Sequence, residues 1–171
     1  MPPVLRSPLA IACFALTAMG GVALDLWTKY LSVTKLDPFS GPYRFIPGCL
    51  EFEVVRNQGA VFGVGQGQRT LFVIVSACAI LFLLFLFMTG GKKWFYQVLL
   101  GMLMAGVIGN MYDRVELGYV RDMIHVFPRW HHFFPYVFNV ADSFLCVGVS
   151  LMVLYSFFSP EKPSHRKIDP L

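Results

Sequence analysis

The hydrophobic residues of this chain fall into four uncharged blocks, not into the short alternating patterns of a soluble domain. The blocks cover residues 9–24, 71–88, 94–112 and 143–158. A helix that crosses a bilayer needs about 20 consecutive, mainly apolar residues, and all four blocks approach that length. The pattern therefore predicts a mainly α-helical membrane protein with four transmembrane helices.

The first and fourth blocks are too short to cross the membrane unless they include an acidic residue. At a rise of about 1.5 Å per residue, each covers roughly 24 Å, whereas the hydrocarbon core is about 30 Å thick. They must therefore continue past Asp25 and Asp142, which places these carboxylates just inside the apolar layer. We predict spans close to residues 9–29, 70–89, 94–113 and 138–158. A cleaved signal peptide is the alternative for the first block.

Composition supports one integral membrane domain over residues 1–171, since 56% of the chain is hydrophobic and only 14% is charged. The formal net charge of +4 is too modest to suggest a nucleic-acid partner. The four cysteines include no CxxC pair and predict neither disulfides nor a zinc site. His125, His131 and His132 fit no diagnostic ligand spacing, and HExxH is absent. We therefore expect no metal and no cofactor.

The distribution of basic residues predicts the orientation of the chain. Four spans place both termini on one side, and Arg6, Lys92, Lys93 and the basic tail over 162–167 lie in short stretches at span ends. By the positive-inside rule, both termini are expected in the cytoplasm. The segments 31–69 and 114–137 then face outward.

The two outward segments have different patterns. In the first, apolar and acidic residues alternate from Leu50 to Val54, which is typical of a β-strand. Pro47-Gly48 predicts a turn back to a strand over 43–46, and we expect this hairpin to form a cradle on the outer leaflet. The second is rich in aromatic residues, which favour the membrane interface. We expect it to form an interfacial lid.

Two aspartates near the last span are candidates for chemistry. Asp122 lies in a strongly apolar setting, and Asp142 shares a helical face with Asn139. A carboxylate at membrane depth is costly, and two that meet in a low-dielectric site share a proton. One can then activate water as general base while the other donates a proton. The alternatives are N-capping of the fourth helix by Asn139 or Asp142, and a salt bridge from Asp122 to Arg114 or Arg121.

Other polar residues lie at the ends of the predicted spans. Asp25 and Lys29 are one helical turn apart and predict an ion pair. The string beginning Asn57-Gln58-Gly59 follows the hairpin and indicates either a turn or a loop that contacts substrate.

The end of the third span carries a polar group and a stripe of small residues. Asn110 and Asp113 share a helical face, and an Asp113–Arg114 pair that closes the helix is the simpler interpretation. Just before them, Gly101, Ala105 and Gly109 recur every four residues, which predicts close approach of another helix.

Taken together, these motifs resemble the lipoprotein signal peptidase family (signal peptidase II). They occur in order along nearly the whole chain as Asp25…Thr28-Lys29, Asn57-x-Gly59-Ala60-x-Phe62-Gly63, Gly109-Asn110-x-x-Asp113-Arg114, Val120-x-Asp122 and Phe138-Asn139-x-Ala141-Asp142. The chain departs from the family pattern at Leu26, where Gln is frequent, and at Met123, where an aromatic residue is frequent.

The resemblance implies a metal-independent aspartyl endopeptidase of the bacterial inner membrane, with its active site near the outer face. It would cleave diacylglyceryl-modified prolipoproteins just before the lipidated cysteine, work among membrane lipids, and be inhibited by globomycin. Asp122 and Asp142 match the catalytic aspartates. The positions that match supporting residues around the site are Asp25, Lys29, Asn57, Gly59, Asn110, Asp113, Arg114 and Asn139.

Two other classes of protein fit parts of the pattern. A small transporter or proton-channel subunit would use Asp25, Asp122 and Asp142 as relay carboxylates. The chain has no internal repeat and no paired half-helices, however, which are frequent features of transporters. A non-enzymatic assembly factor would use the small-residue stripe as a packing face.

Overall fold

The structure, a computed structural model, describes residues 7–36, 41–59, 65–90, 93–130 and 136–158. Within these ranges, four helices are long and apolar enough to cross a membrane, as the sequence predicts. They are α1 (Pro8–Lys35), α2 (Arg69–Thr89), α3 (Trp94–Glu116) and α4 (Val140–Phe158). α1 has 28 residues, or about 42 Å, and continues past residue 29, where the predicted span ended.

The long third helix is the centre of the bundle. α3 packs against α1, α2 and α4, and its side chains Leu99, Leu100 and Ala105 are fully buried. α2 buries only Leu83 among its described residues and otherwise presents an apolar surface. Such a surface is suited to lipid, since lipid-facing positions need no polar partner.

Small residues allow α1 and α3 to approach closely. The stripe of Gly101, Ala105 and Gly109 predicts that another helix packs closely there, and in the structure that helix is α1. A Cβ atom on Gly101 would lie 2.8 Å from the carbonyl oxygen of Phe14. A Cβ atom on Gly21 would lie 2.6 Å from the Cβ of Ala105. The stripe is therefore where the first helix packs against the third.

The two segments that were predicted to face outward contribute the strands of one antiparallel sheet, in the order β1-β2-β3-β4. The strands are β1 (Tyr43–Ile46), β2 (Leu50–Asn57), β3 (Val120–Val126) and β4 (Val137–Phe138). β1 and β2 form the predicted hairpin around the turn that contains Pro47 and Gly48.

The segment over 114–137 differs from the lid that was predicted there. Its central part, β3, pairs with β2 from Leu50↔Val126 to Asn57↔Val120, with an irregularity between Phe52 and Val55. Because backbone hydrogen bonds hold β3 to the hairpin, the segment does not form a separate lid along its whole length. The lid hypothesis now applies only to the connection between β3 and β4. Residues 131–135 of that connection lie outside the described ranges.

Candidate active site

Asp122 is a buried carboxylate in the middle of β3. The residue is only 2% exposed, and each carboxylate oxygen accepts one amide hydrogen bond. Asn57 Nδ2 donates to Oδ2 at 3.0 Å, and Asn139 Nδ2 donates to Oδ1 at 2.7 Å. Burial, reinforced by the nearby charge of Asp142, raises the pKa of Asp122 to about 7. This carboxyl group therefore tends to hold a proton.

Asp142 lies in the first turn of α4, in a different environment. Asn110 Nδ2 donates to its Oδ1 at 2.8 Å, and the backbone N–H of Asn139 donates to its Oδ2 at 3.2 Å. The amino end of a helix carries partial positive charge, which stabilises an anionic side chain there. Asp142 is therefore suited to carry the negative charge of the pair.

Asn139 joins the two carboxylates. Its Oδ1 accepts from the backbone N–H of Asp142 at 2.9 Å, so that it is the N-cap of α4. Its side-chain amide meanwhile donates to Asp122. The capping alternative raised by the sequence is thus correct for Asn139, and it coexists with a contact to the candidate pair.

A buried ion network lies beneath the two aspartates. Lys29, which is completely buried, contacts Asp25 Oδ2 at 2.8 Å and Asp113 Oδ2 at 3.3 Å. The predicted Asp25–Lys29 pair is confirmed. Arg121 completes the network, with Nη2 at 2.6 Å from Asp113 Oδ1. Two acids and two bases leave the network electrically neutral, as buried charges require.

The expected Asp113–Arg114 pair is wrong. Successive helix residues do not face each other, and Arg114 instead donates to the carbonyl of Gly59 at 2.9 Å. Its guanidinium also lies over the ring of Phe72, 5.1 Å from the centroid. The loop after β2 is therefore attached to the end of α3.

The salt-bridge alternative for Asp122 is also wrong, since neither Arg114 nor Arg121 contacts it. Arg121 is the residue whose role the sequence analysis missed. It precedes Asp122 on a strand, and neighbouring strand residues point to opposite faces. Arg121 therefore reaches Asp113 while Asp122 faces Asn139. Had residues 120–126 been recognised as a strand, the two-residue period would have placed the side chains of Arg121 and Asp122 on opposite faces.

Asp25 connects the first helix to the last. Its Oδ1 accepts the backbone N–H of Ala141 at 2.9 Å, which satisfies a second N–H group in the first turn of α4. Gly109 makes room for this contact, since a Cβ atom there would clash with the Asp25 carboxylate. The position of Asp142 thus depends on α1 as well as on α4.

Within the described residues, no group of three His, Cys, Asp or Glu side chains is placed to hold a metal ion. His125 lies on β3 and contacts Glu53, with Nδ1 at 3.0 Å from Oε1. His131 and His132 lie outside the described ranges.

The fold and site together define a membrane protein with membrane-length helices and two linked carboxylates beside a small sheet. The sequence profile described as Signal peptidase (SPase) II matches residues 17–158, and the chain belongs to that family. This is a family of membrane proteases that remove signal peptides from prolipoproteins. The transporter alternative is therefore not favoured.

Individual relatives agree with this assignment. The lipoprotein signal peptidase of Caldanaerobacter subterraneus subsp. tengcongensis is 38% identical over 131 residues, which cover 77% of this chain and 86% of the relative. That of Enterococcus faecalis is 38% identical over 150 residues, covering 86% and 88%. A bacterial membrane enzyme solved by the in meso method at 1.9 Å superposes with a TM-score of 0.77 and 32% identity, covering 88% of this chain and 96% of that one.

Proposed function

We propose that this chain is an aspartyl endopeptidase that removes the signal peptide from diacylglyceryl-modified prolipoproteins, with Asp122 and Asp142 as its catalytic pair. The observation that carries the proposal is that one buried residue, Asn139, contacts both carboxylates. Their surroundings differ, so that one favours the neutral acid and the other the anion. Peptide hydrolysis needs this division between acid and base.

In the proposed reaction, ionised Asp142 removes a proton from a water molecule as the water oxygen attacks the scissile carbonyl carbon. Asp122 gives its proton to the carbonyl oxygen, and a neutral tetrahedral diol results. The C–N bond then breaks as Asp142 passes its proton to the leaving nitrogen. Asp122 takes a proton back from one hydroxyl as the carboxylic acid forms. Both aspartates end in their starting states, and the reaction consumes one water.

The residues around the pair act mainly as positioning groups. Asn57, Asn110 and Asn139 donate amide hydrogen bonds to the two carboxylates. Arg114 and Asn57 both bind Gly59, which fixes the loop that follows Asn57. The other three supporting residues, Asp25, Lys29 and Asp113, belong with Arg121 to the ion network below the pair.

The placement of the site favours a substrate that arrives from the membrane. The pair lies where α3 ends, α4 begins and the sheet meets α1. A lipidated precursor with an apolar signal helix would enter sideways among membrane lipids, and the sheet would cover its cleavage site. We propose that this end faces outward from the bacterial inner membrane, with both termini in the cytoplasm. A globomycin-type inhibitor would occupy the same cleft.

The test is cleavage of a lipidated precursor by purified protein in the presence of a metal chelator. Asp122→Asn and Asp142→Asn should each abolish cleavage while thermal unfolding shows that the variant is folded. Glu116→Gln is the matched control, because Glu116 is an exposed carboxylate at the end of α3. Its turnover should equal that of the wild type.

Three results would overturn parts of the proposal. Substantial cleavage by either aspartate variant would exclude the pair as catalytic. Loss of wild-type activity in chelator would replace the aspartyl mechanism with a metal-dependent one. Equal cleavage of a precursor whose cysteine carries no diacylglyceryl group would remove the requirement for lipid.

A further inference from the structure

The buried ammonium of Lys29 has more partners than charge neutralisation requires. Beyond Asp25 and Asp113, its Nζ lies 3.3 Å from Asn110 Oδ1 and 3.3 Å from the carbonyl oxygen of Gly109. An ammonium group only donates hydrogen bonds. The groups of α3 that contact Lys29 must therefore be acceptors. On the Asn110 side chain, the acceptor is the amide oxygen.

This requirement determines which way the Asn110 carboxamide is turned. Its oxygen accepts from Lys29 and also from Asn139 Nδ2, at 3.1 Å, while its nitrogen donates to Asp142. A half-turn of the amide would point its N–H groups at the ammonium and its oxygen at the carboxylate. Both new contacts would be repulsive, because donors would meet donors and an acceptor would meet an acceptor.

We propose that Lys29 is a positioning residue for catalysis, which acts through Asn110 by selecting the amide orientation that donates to Asp142. This inference rests on the proposed function, since it concerns the residue assigned as the base. It assigns Lys29 a role through its hydrogen-bond donation, beyond its pairing with Asp25 and Asp113. A base held by a fixed donor keeps its geometry through the reaction, where misplacement by about 1 Å can cost roughly a hundredfold in rate.

Single substitutions cannot separate donation from charge, because they would leave a buried carboxylate unpaired. Asp25→Asn removes one negative charge and keeps an oxygen that can accept the Ala141 N–H. In that background, Lys29→Gln removes the positive charge but keeps an N–H donor. Lys29→Met has a similar length and no donor. Both double variants leave Asp113 paired with Arg121.

We expect the Gln double variant to cleave lipidated precursor at least tenfold faster, in kcat, than the Met double variant. KM should be similar in both, because Lys29 is buried beneath the pair. Thermal unfolding in the same detergent should show that both are folded. If the Met double variant does not fold, Lys29→Asn in the same background replaces it: its carboxamide is still polar, but it is one methylene shorter than that of Gln, so its N–H falls short of Asn110 Oδ1 and makes no donation there.

Equal kcat in the donor and non-donor variants, whether high or low, would overturn the positioning role and leave Lys29 as a structural counter-ion. A difference in KM alone between the two double variants, with equal kcat, would also overturn it. Failure of the wild type to cleave the precursor would instead refute the proposed function. The wild-type assay therefore distinguishes the two proposals.

Discussion

Asn139 and Asp142 exchange two hydrogen bonds at the start of α4. The backbone N–H of Asp142 donates to Asn139 Oδ1 at 2.9 Å, and the backbone N–H of Asn139 donates to Asp142 Oδ2 at 3.2 Å. This reciprocal cap satisfies groups that a helix would otherwise leave unpaired. Because Asn139 also donates its amide to Asp122, one residue supports both the helix end and the candidate acid.

Two substitutions at Asn139 should separate these roles. Ser caps helices well but cannot donate an amide to Asp122, whereas Ala does neither. We expect both variants to lose most turnover, and Asn139→Ala to be about 1 kcal/mol less stable than Asn139→Ser. Precursor cleavage and thermal unfolding measure the two effects. An active Asn139→Ser enzyme would contradict the amide contact.

The stability of the protein should depend on pH through Asp122. Its pKa is raised to about 7 in the folded protein, mainly by burial and then by the charge of Asp142, while the unfolded chain has an ordinary value near 4. Between these values the folded state binds a proton that the unfolded state does not. The free energy of unfolding should therefore fall as pH rises from about 4 to about 7, by at most about 1.4 kcal/mol per pH unit.

The measurement compares thermal unfolding of the wild type and Asp122→Asn across this range in one detergent. The Asn side chain does not titrate, so subtraction isolates the contribution of Asp122. A difference between the two that does not change with pH would contradict the raised pKa.

Neighbouring glycines in α1 offer a matched test of helix packing. A Cβ atom on Gly21 would lie 2.6 Å from the Cβ of Ala105, whereas a Cβ atom on Gly20 meets nothing within 4 Å. We expect Gly21→Ala to destabilise the protein by about 1–3 kcal/mol, because the helices must move apart. Gly20→Ala should be neutral or slightly stabilising, since Ala favours a helix. Equal unfolding temperatures for the two variants would contradict the close contact between α1 and α3.

The tether between Arg114 and Gly59 should matter for catalysis. Gly59 donates its N–H to Asn57 Oδ1 at 2.9 Å, while Asn57 Nδ2 donates to Asp122 Oδ2 at 3.0 Å. Arg114→Lys keeps the charge but loses the planar fork that reaches Gly59. We expect kcat/KM to fall about tenfold, and amide exchange at Gly59 to become faster.

Arg69→Lys is the control for this prediction. Arg69 is exposed and donates to the backbone carbonyl of Val115. Its replacement should leave kcat/KM close to that of the wild type. An equal loss in both variants would show that the effect is not specific to the Gly59 loop.

Sequence reasoning worked where the physical cause is local. Uncharged runs of membrane length identify the four helices, and the alternation around Leu50–Val54 identifies β2. The Asp25–Lys29 pair follows from a spacing of one helical turn. Small residues at every fourth position of α3 indicate that another helix packs closely there, although they do not say which one. Each of these features is determined by residues that are close together in the chain.

The remaining features depend on pairings between distant parts of the chain. β3 lacks a clean alternation because it lies beside β2 at a buried junction, where Val120, Asp122, Met123 and His125 are all buried. Its register with β2 joins residues such as Val55 and Asp122. Asp113 pairs with Arg121, not with its neighbour Arg114, because strand geometry aims Arg121 back toward α3. No local pattern encodes these contacts.

The bond between Asp25 and the N–H of Ala141 joins the first membrane helix to the last. The ribosome makes Asp25 well before Ala141, so the site cannot be assembled until α4 has entered the bilayer. A nascent chain that has inserted only α1 to α3 lacks both Asp142 and the helix end that Asp25 binds. With Asp122 and Asp142 as the proposed catalytic pair, proteolysis therefore requires that α4 has been inserted.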